Sequence, residues 1–336
     1  MAWRETLQRA WWAPRPTSLA LALSPLSLVY GALAAVSRRL AHPEHVEVPV
    51  IVVGNLVVGG AGKTPTVIAL VDLLRHAGRT PGVVSRGHGG RIASVAEVDG
   101  ASAAVDVGDE PVLIHARTRA PLFIGRDRVA AARALLRAHA DVDVIVSDDG
   151  LQHHRLARDV QVIVFDARGV GNGLLLPAGP LREHLPAFVP AHSVVLYGVS
   201  TPSTPLPGFA ATRRLVGVLP LADWRAGVVP DPAGWASLRG RPVTAAAGIA
   251  QPERFFAMLR DRGLEIAPLP LPDHHRFDPL PWPAGSADVI VTEKDAVKLL
   301  GRDLGGTRLW VAPLDLLPEP GFAAAVLHLL PKPPAR

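Results

Sequence analysis

The apolar run Val48-Pro49-Val50-Ile51-Val52-Val53 leads within a few residues into Gly59-Gly60-Ala61-Gly62-Lys63-Thr64. A buried strand that empties into a glycine-rich turn closed by Gly-Lys-Thr is the sequence form of a P-loop. Strand, loop and helix then follow one another as one unit of a parallel α/β sheet. Backbone N–H groups of such a loop cradle polyphosphate, the lysine neutralises the β/γ oxygens, and the threonine hydroxyl can ligate Mg²⁺. On this reading Val57, Val58, Gly59, Gly60, Ala61, Gly62, Lys63 and Thr64 form the nucleotide cradle. The common pattern G-x-x-x-x-G-K-[ST] would put glycine at position 57, where this chain has Val57, so an ordinary glycine-rich turn is the competing reading. Lysine usage favours the P-loop. Lys63, Lys294, Lys298 and Lys332 are the only lysines, and arginine supplies nearly all other positive charge.

Periodicity extends the α/β pattern. Buried strands are predicted at 46–56, 81–85, 121–124, 142–147 and 160–166, with helices at 64–76 and 126–140. Their alternation predicts a P-loop NTPase-like parallel sheet flanked by helices, with ligands at the carboxyl ends of its strands. The stretch 202–235, rich in Pro, Gly and Ala, reads as the passage to a second, smaller α/β unit. That unit has strands at 243–247 and 288–292 and helices at 252–262 and 296–300. The expected domains are an N-terminal anchor (1–40), a P-loop domain (41–225) and a second α/β domain closing a cleft (226–330), with a frayed tail at 331–336.

The anchor rests on residues 17–37, none of which is charged. About 20 helical residues span roughly 30 Å, one hydrocarbon core. Trp3, Trp11 and Trp12 precede the stretch like interfacial aromatics, and Arg38-Arg39 closes it. Pro25 leaves open an interfacial helix lying on the membrane; a core helix and a signal peptide are the other readings. The 49% hydrophobic content agrees with a membrane contact, and the net charge of +5 suits an anionic substrate or lipid surface. Neither a zinc spacing nor a long basic run points to nucleic acid. The absence of cysteine excludes disulfides and thiolate metal sites.

Other motifs admit two readings each. Asp148-Asp149-Gly150 ends a buried strand, where a carboxylate can hold Mg²⁺, or where an Asp-Gly turn can simply stop the strand. Gly108-Asp109-Glu110-Pro111 opens a helical pattern, with Asp109 as N-cap or as a proton acceptor. Thr292-Glu293-Lys294-Asp295 looks like a capping box, Thr292 capping and Asp295 answering. Asp273-His274-His275 sits in a proline-flanked loop. The 177–183 segment is too proline-rich for helix, which leaves Arg182 and Glu183 on a constrained loop where an arginine can clamp phosphate.

Together the segments resemble the tetraacyldisaccharide 4′-kinase (lipid A 4′-kinase) family over most of the chain. The carriers are the 54–65 loop, Ser85-Arg86-Gly87-His88-Gly89, Gly108-Asp109-Glu110-Pro111, Asp148-Asp149-Gly150-Leu151-Gln152-His153, the 177–183 loop, Asp273-His274 and Thr292-Glu293-Lys294-Asp295. The resemblance implies transfer of the γ-phosphate of ATP to the 4′-hydroxyl of an acylated glucosamine disaccharide 1-phosphate. It further implies Mg²⁺ at Thr64, Asp148 and Asp149, and Lys63 acting in catalysis. Asp109 becomes the base, with His274 orienting it and raising its basicity. Arg86, Arg182 and Glu183 become candidates for substrate contact. The implied place is the cytoplasmic side of a bacterial inner membrane, with no nucleic-acid partner and protein partners left open. Val57 is no departure within this family. The rival from another class is a membrane-associated P-loop switch ATPase; such switches usually carry a second lysine early in the loop, where this chain has Val58.

Overall fold

Val50–Gly54, Pro81–Ser85 and Val144–Asp148 are buried at every residue. Strands covered on both faces read as continuous apolar runs, which is how these appear in the sequence. The structure, a computed structural model, describes residues 2–331; Lys332 and the rest of the expected frayed tail lie outside the described residues. Contacts divide the chain into two compact units, one built from residues up to 86, 127–212 and from 317 on, the other from 87–126 and 213–316.

In the first unit the strands lie, all parallel, in the order Ser193–Tyr197, Val160–Phe165, Val50–Gly54, Val144–Asp148, Pro81–Ser85. Val53 stands opposite Asp148 and Val84 opposite Ser147, so the glycine-rich loop, Ser85 and the acidic turn leave neighbouring strands at one end. Helix Arg128–Ala138 starts on Asp127, whose side chain accepts from the N–H groups of Val129 and Ala130. It packs so tightly on the sheet that a Cβ at Gly82 would come within 2.7 Å of Leu135.

The N-terminal segment belongs to this unit. Helix Ser18–Leu40 is capped by Thr17, and Pro25 sits within it on the exposed side without breaking it. One face, at Ala20, Ser27 and Gly31, is packed at the i, i+7, i+11 spacing of a helical stripe. The Ser27 hydroxyl donates to Leu175 O at 2.8 Å, and the Tyr30 hydroxyl donates to Arg182 O at 3.2 Å. The opposite face leaves Leu21, Leu26, Leu28, Val29, Leu33, Val36 and Leu40 exposed. Trp11 and Trp12, expected as interfacial aromatics, also make contacts within the protein. The Trp11 indole donates to Pro177 O at 2.8 Å and the Arg168 guanidinium covers the Trp12 ring, while Trp3 is exposed.

The second unit carries a sheet in the order Ile266–Pro270, Val243–Ala247, Asp288–Thr292, Arg308–Ala312, Leu219–Pro220, parallel except for the last. Phe255, Phe256 and Leu259 of helix Pro252–Arg260 bury their side chains with Trp235, Leu238 and Ile290. Residues 87–126 and 213–225, placed by the sequence in the P-loop domain, fold here, and residues from 317 on fold in the first unit instead. The cause is long-range: helix Asp109–Thr118 is fixed to helix Glu293–Leu299 by Arg117, bonded to Glu293 at 2.8 and 2.9 Å, and by Arg117 to Asp315 at 2.6 Å. The 202–235 passage is not loop throughout: it contains strand Phe209–Leu215 and helix Leu221–Ala226.

Candidate active site

In the first unit the loop after Val50–Gly54 turns on two left-handed glycines, Gly59 at φ 89° and Gly62 at φ 95°, the latter capping helix Lys63–His76. Gly60 has no such φ, and a Cβ there would meet nothing within 4 Å. Neither a positive φ nor internal packing requires glycine at 60, which leaves the loop open to solvent at that residue. Gly62 makes no side-chain cap and the first turn holds no acidic residue, which leaves the positive helix end facing the loop.

Lys63 is 8% exposed. Its ammonium donates to Asn55 Oδ1 at 3.1 Å and lies 3.5 Å from Asp149 Oδ1. Thr64, the next residue, is buried to 9%. Of the expected cradle, Val57 buries its side chain and bridges Leu181, and the Val58 N–H is spent on Pro180 O at 2.9 Å. That takes the Val58 N–H out of the expected set of phosphate donors.

Asp148 and Asp149 face different ways. Asp148 is 1% exposed and accepts from the Ser85 hydroxyl at 2.9 Å. Asp149, at φ 47°, turns to the loop and meets Lys63 and, at 3.3 Å, Arg182. Burial pushes the Asp149 carboxyl up, but Lys63 and Arg182 carry it below the usual range. Arg182 also donates to Gln152 Oε1 at 3.0 Å, while Gln152 donates to Glu183 at 3.1 Å. Glu183 closes on Arg38 of the N-terminal helix at 2.6 Å. Arg86 is exposed, with Arg128 among its electrostatic neighbours. Sequence reasoning missed Arg128, 2% exposed behind the two aspartates and pushed down to about 10 by burial. It also missed Arg168, which donates to Gly60 O at 2.8 Å and pairs with Asp166. Only the position of Asp166 at a strand's carboxyl end could have flagged the latter.

In the second unit Asp109 is the first helical residue, not its cap. Gly108 takes that place at φ 95°, ψ 151°, where a Cβ would lie 2.6 Å from His88 O. The Asp109 carboxylate, 8% exposed, accepts from the Glu110 N–H at 3.0 Å and meets His274 Nδ1 at 3.1 Å. The sequence reading put these two residues in different domains; they share one compact unit. Lys294 and Lys298 each stand 4.0 Å from Asp109 Oδ2. Burial raises the Asp109 carboxyl, but the His274 hydrogen bond and the two lysines outweigh it and hold it low. That reverses the expected direction, since His274 makes Asp109 less basic. The bond raises His274 in turn. Thr292 caps its helix by accepting from the Asp295 N–H at 3.2 Å, but the Asp295 carboxylate accepts from the Gly248 N–H instead of completing the box.

A family model described as tetraacyldisaccharide-1-P 4′-kinase matches residues 19–331. A relative from Methylibium petroleiphilum described as tetraacyldisaccharide 4′-kinase is 58% identical over 318 residues, 92% of this chain and 89% of that protein. One from Leptothrix cholodnii with the same description is 53% identical over 335 residues, covering 97% and 95%. The crystal structure described as the "apo" form of LpxK from Aquifex aeolicus in complex with ATP is 25% identical with a TM-score of 0.76, over 93% of this chain and 100% of that one.

Proposed function

The chain belongs to the tetraacyldisaccharide-1-P 4′-kinase family, and from that premise we propose how its residues divide the work. The protein is a kinase of lipid A biosynthesis that transfers the γ-phosphate of ATP to the 4′-hydroxyl of a tetraacyldisaccharide 1-phosphate. This membership removes the switch-ATPase alternative. The observation that carries the nucleotide assignment is Gly60, a glycine with neither a conformational nor a packing reason, beside a lysine held by Asn55.

Backbone groups from Gly59 to Thr64 cradle the phosphates, and Lys63 neutralises the β/γ oxygens. Mg²⁺ fits the donor set: Asp149, Asp148 and the Thr64 hydroxyl are hard oxygen groups, and this ion takes one or two carboxylates and fills its remaining positions with water and phosphate. Asp149, turned toward Lys63, would supply the direct carboxylate, and Asp148, bonded to Ser85, would support it. Bound there, the ion would offset charge on the β- and γ-phosphates. The sugar 4′-oxygen attacks the γ-phosphorus, the bond to the β,γ-bridging oxygen breaks, and ADP leaves. The hydroxyl proton goes to the Asp109–His274 pair. An ionised Asp109 receives it late in a loose transition state, and His274, made more basic by the same bond, shares it. Arg182 and Glu183 hold the acidic turn, and Arg86 is left as the exposed candidate for a substrate phosphate.

Helix Ser18–Leu40 is long and apolar enough to cross a membrane, which fits a membrane-associated bacterial enzyme. With one face docked on the 171–183 segment, it lies along the cytoplasmic surface of the inner membrane and turns its Leu- and Val-rich face to lipid.

Two experiments test this reading. Asp109→Asn, His274→Ala and the double variant are compared by kcat. Each single change should cost about 10²–10⁴, and the double should be little worse than the poorer single; fully additive losses would dissolve the pair. For the helix, Leu28→Glu and Val36→Glu on the exposed face should shift the protein off liposomes without lowering its melting temperature. Retained binding would place the membrane contact elsewhere.

A further inference from the structure

We propose that Lys298, held by Asp295, is a positioning residue for phosphoryl transfer: its ammonium keeps the Asp109 carboxylate oriented and charge-compensated while anionic substrates approach. The inference rests on Asp109 receiving the hydroxyl proton.

The Lys298 side chain is 10% exposed and its ammonium is confined on three sides. It lies 3.0 Å from Asp295 Oδ1, 4.0 Å from Asp109 Oδ2, and over the ring of the fully buried Phe277 at 5.6 Å. Asp295 is 0% exposed, and its second oxygen accepts from the Gly248 N–H at 2.9 Å and the Thr292 hydroxyl at 2.8 Å. Gly248 in turn accepts from the His274 N–H at 3.2 Å. A Cβ at Gly248 would press to 3.0 Å from Asp295 Oδ1, tighter than an ordinary contact. A single buried carboxylate therefore fixes the lysine beside Asp109 and, through Gly248, the backbone of the histidine on the other side. His274 itself holds φ 60°, a conformation that needs such support.

The charge argument explains why the fold seats a cation here. An anionic substrate brings negative charge to a carboxylate that must stay ionised and in place. The charged and titratable groups facing Asp109 are Glu110 on its own helix, His274 and Asp273 from the proline-flanked loop, and Lys294 and Lys298 from helix Glu293–Leu299. Lys294 is more exposed and stands nearest Glu110, at 3.4 Å. Lys298 is the cation that packing and Asp295 immobilise.

The test is the pH profile of kcat for lipid phosphorylation in the wild type, Lys298→Met, Lys298→Arg and Asp109→Asn, with ATP dissociation constants beside it. Lys298→Met should lower kcat tenfold or more, leave ATP affinity within about twofold, and move the acidic limb up, since a nearby opposite charge favours the ionised carboxyl. Lys298→Arg should bring the limb most of the way back. A fall in kcat with an unmoved limb, or no fall at all, overturns the proposal and leaves Lys298 as packing. An active Asp109→Asn enzyme with the wild-type limb would instead overturn the proton-acceptor reading, whatever Lys298 does. If Lys298→Met does not fold, Lys298→Gln reads the same limb; failure of both to fold makes the lysine structural and overturns the proposal too.

Discussion

Gly60→Ala separates ligand approach from protein stability. The added methyl would meet no protein atom within 4 Å, and Gly60 is not among the residues at positive φ. An alanine that the native backbone accepts without strain stabilises a protein by about 0.4–1 kcal/mol through the unfolded chain. The melting temperature should therefore hold or rise slightly. A methyl group forced between backbone and phosphate costs about 1–3 kcal/mol, as other overpacked sites do, which is roughly 5- to 150-fold in ATP affinity. Calorimetric titration with ATP and a thermal melt of the same sample read the two effects. Unchanged ATP affinity would refute the argument that Gly60 is small for a ligand, and a large loss of stability would refute the claim that its surroundings are open.

Lys63→Ala should abolish lipid phosphorylation, because charge compensation at the β/γ oxygens goes with the ammonium; near-normal turnover would remove the P-loop assignment. Glu293→Ala should destabilise by about 3–5 kcal/mol in a urea melt, since Glu293, 6% exposed, accepts from Arg117, from Trp224 Nε1 at 2.8 Å and from the Leu314 N–H at 3.0 Å; a loss under 1 kcal/mol would show the hub to be dispensable. His153 is held down to about 4, against an ordinary 6.5, first by burial and then by Arg128. The unfolded chain then binds the extra proton between those values, so this residue's contribution falls as pH drops from about 6.5 toward 4. His153→Asn should lose less stability than the wild type between pH 7 and pH 5 in paired melts, and parallel losses would contradict the assignment.

Much of the chemistry was legible because it is local. Pro81–Ser85, Val243–Ala247 and Asp288–Thr292 carry the bounds their apolar runs predicted, and Gly-Lys-Thr after a buried strand fixed where the helix begins. What the sequence hid depends on partners far along the chain. Whether Asp109 caps a helix turns on Gly108, whose backbone angles are set against His88, and the direction of the Asp109 shift turns first on His274, 165 positions away, and then on two lysines farther still. Nothing near Trp11 and Trp12 in the sequence revealed Pro177 and Arg168 as their partners. Pro25 did not break its helix: it lies on the exposed face, away from the packed stripe that holds the segment to the 171–183 loop. Residues 87–126 changed unit for the same reason, an ion pair between Arg117 and Glu293 that no local pattern announces.

The most direct test of the central claim is transfer of label from γ-labelled ATP to purified tetraacyldisaccharide 1-phosphate in mixed micelles, run beside ATP hydrolysis without lipid. The account predicts labelled lipid carrying its new phosphate on the 4′-oxygen, in amounts equal to the ADP formed, with little hydrolysis when lipid is left out. Brisk lipid-independent hydrolysis with no label in the lipid would contradict it.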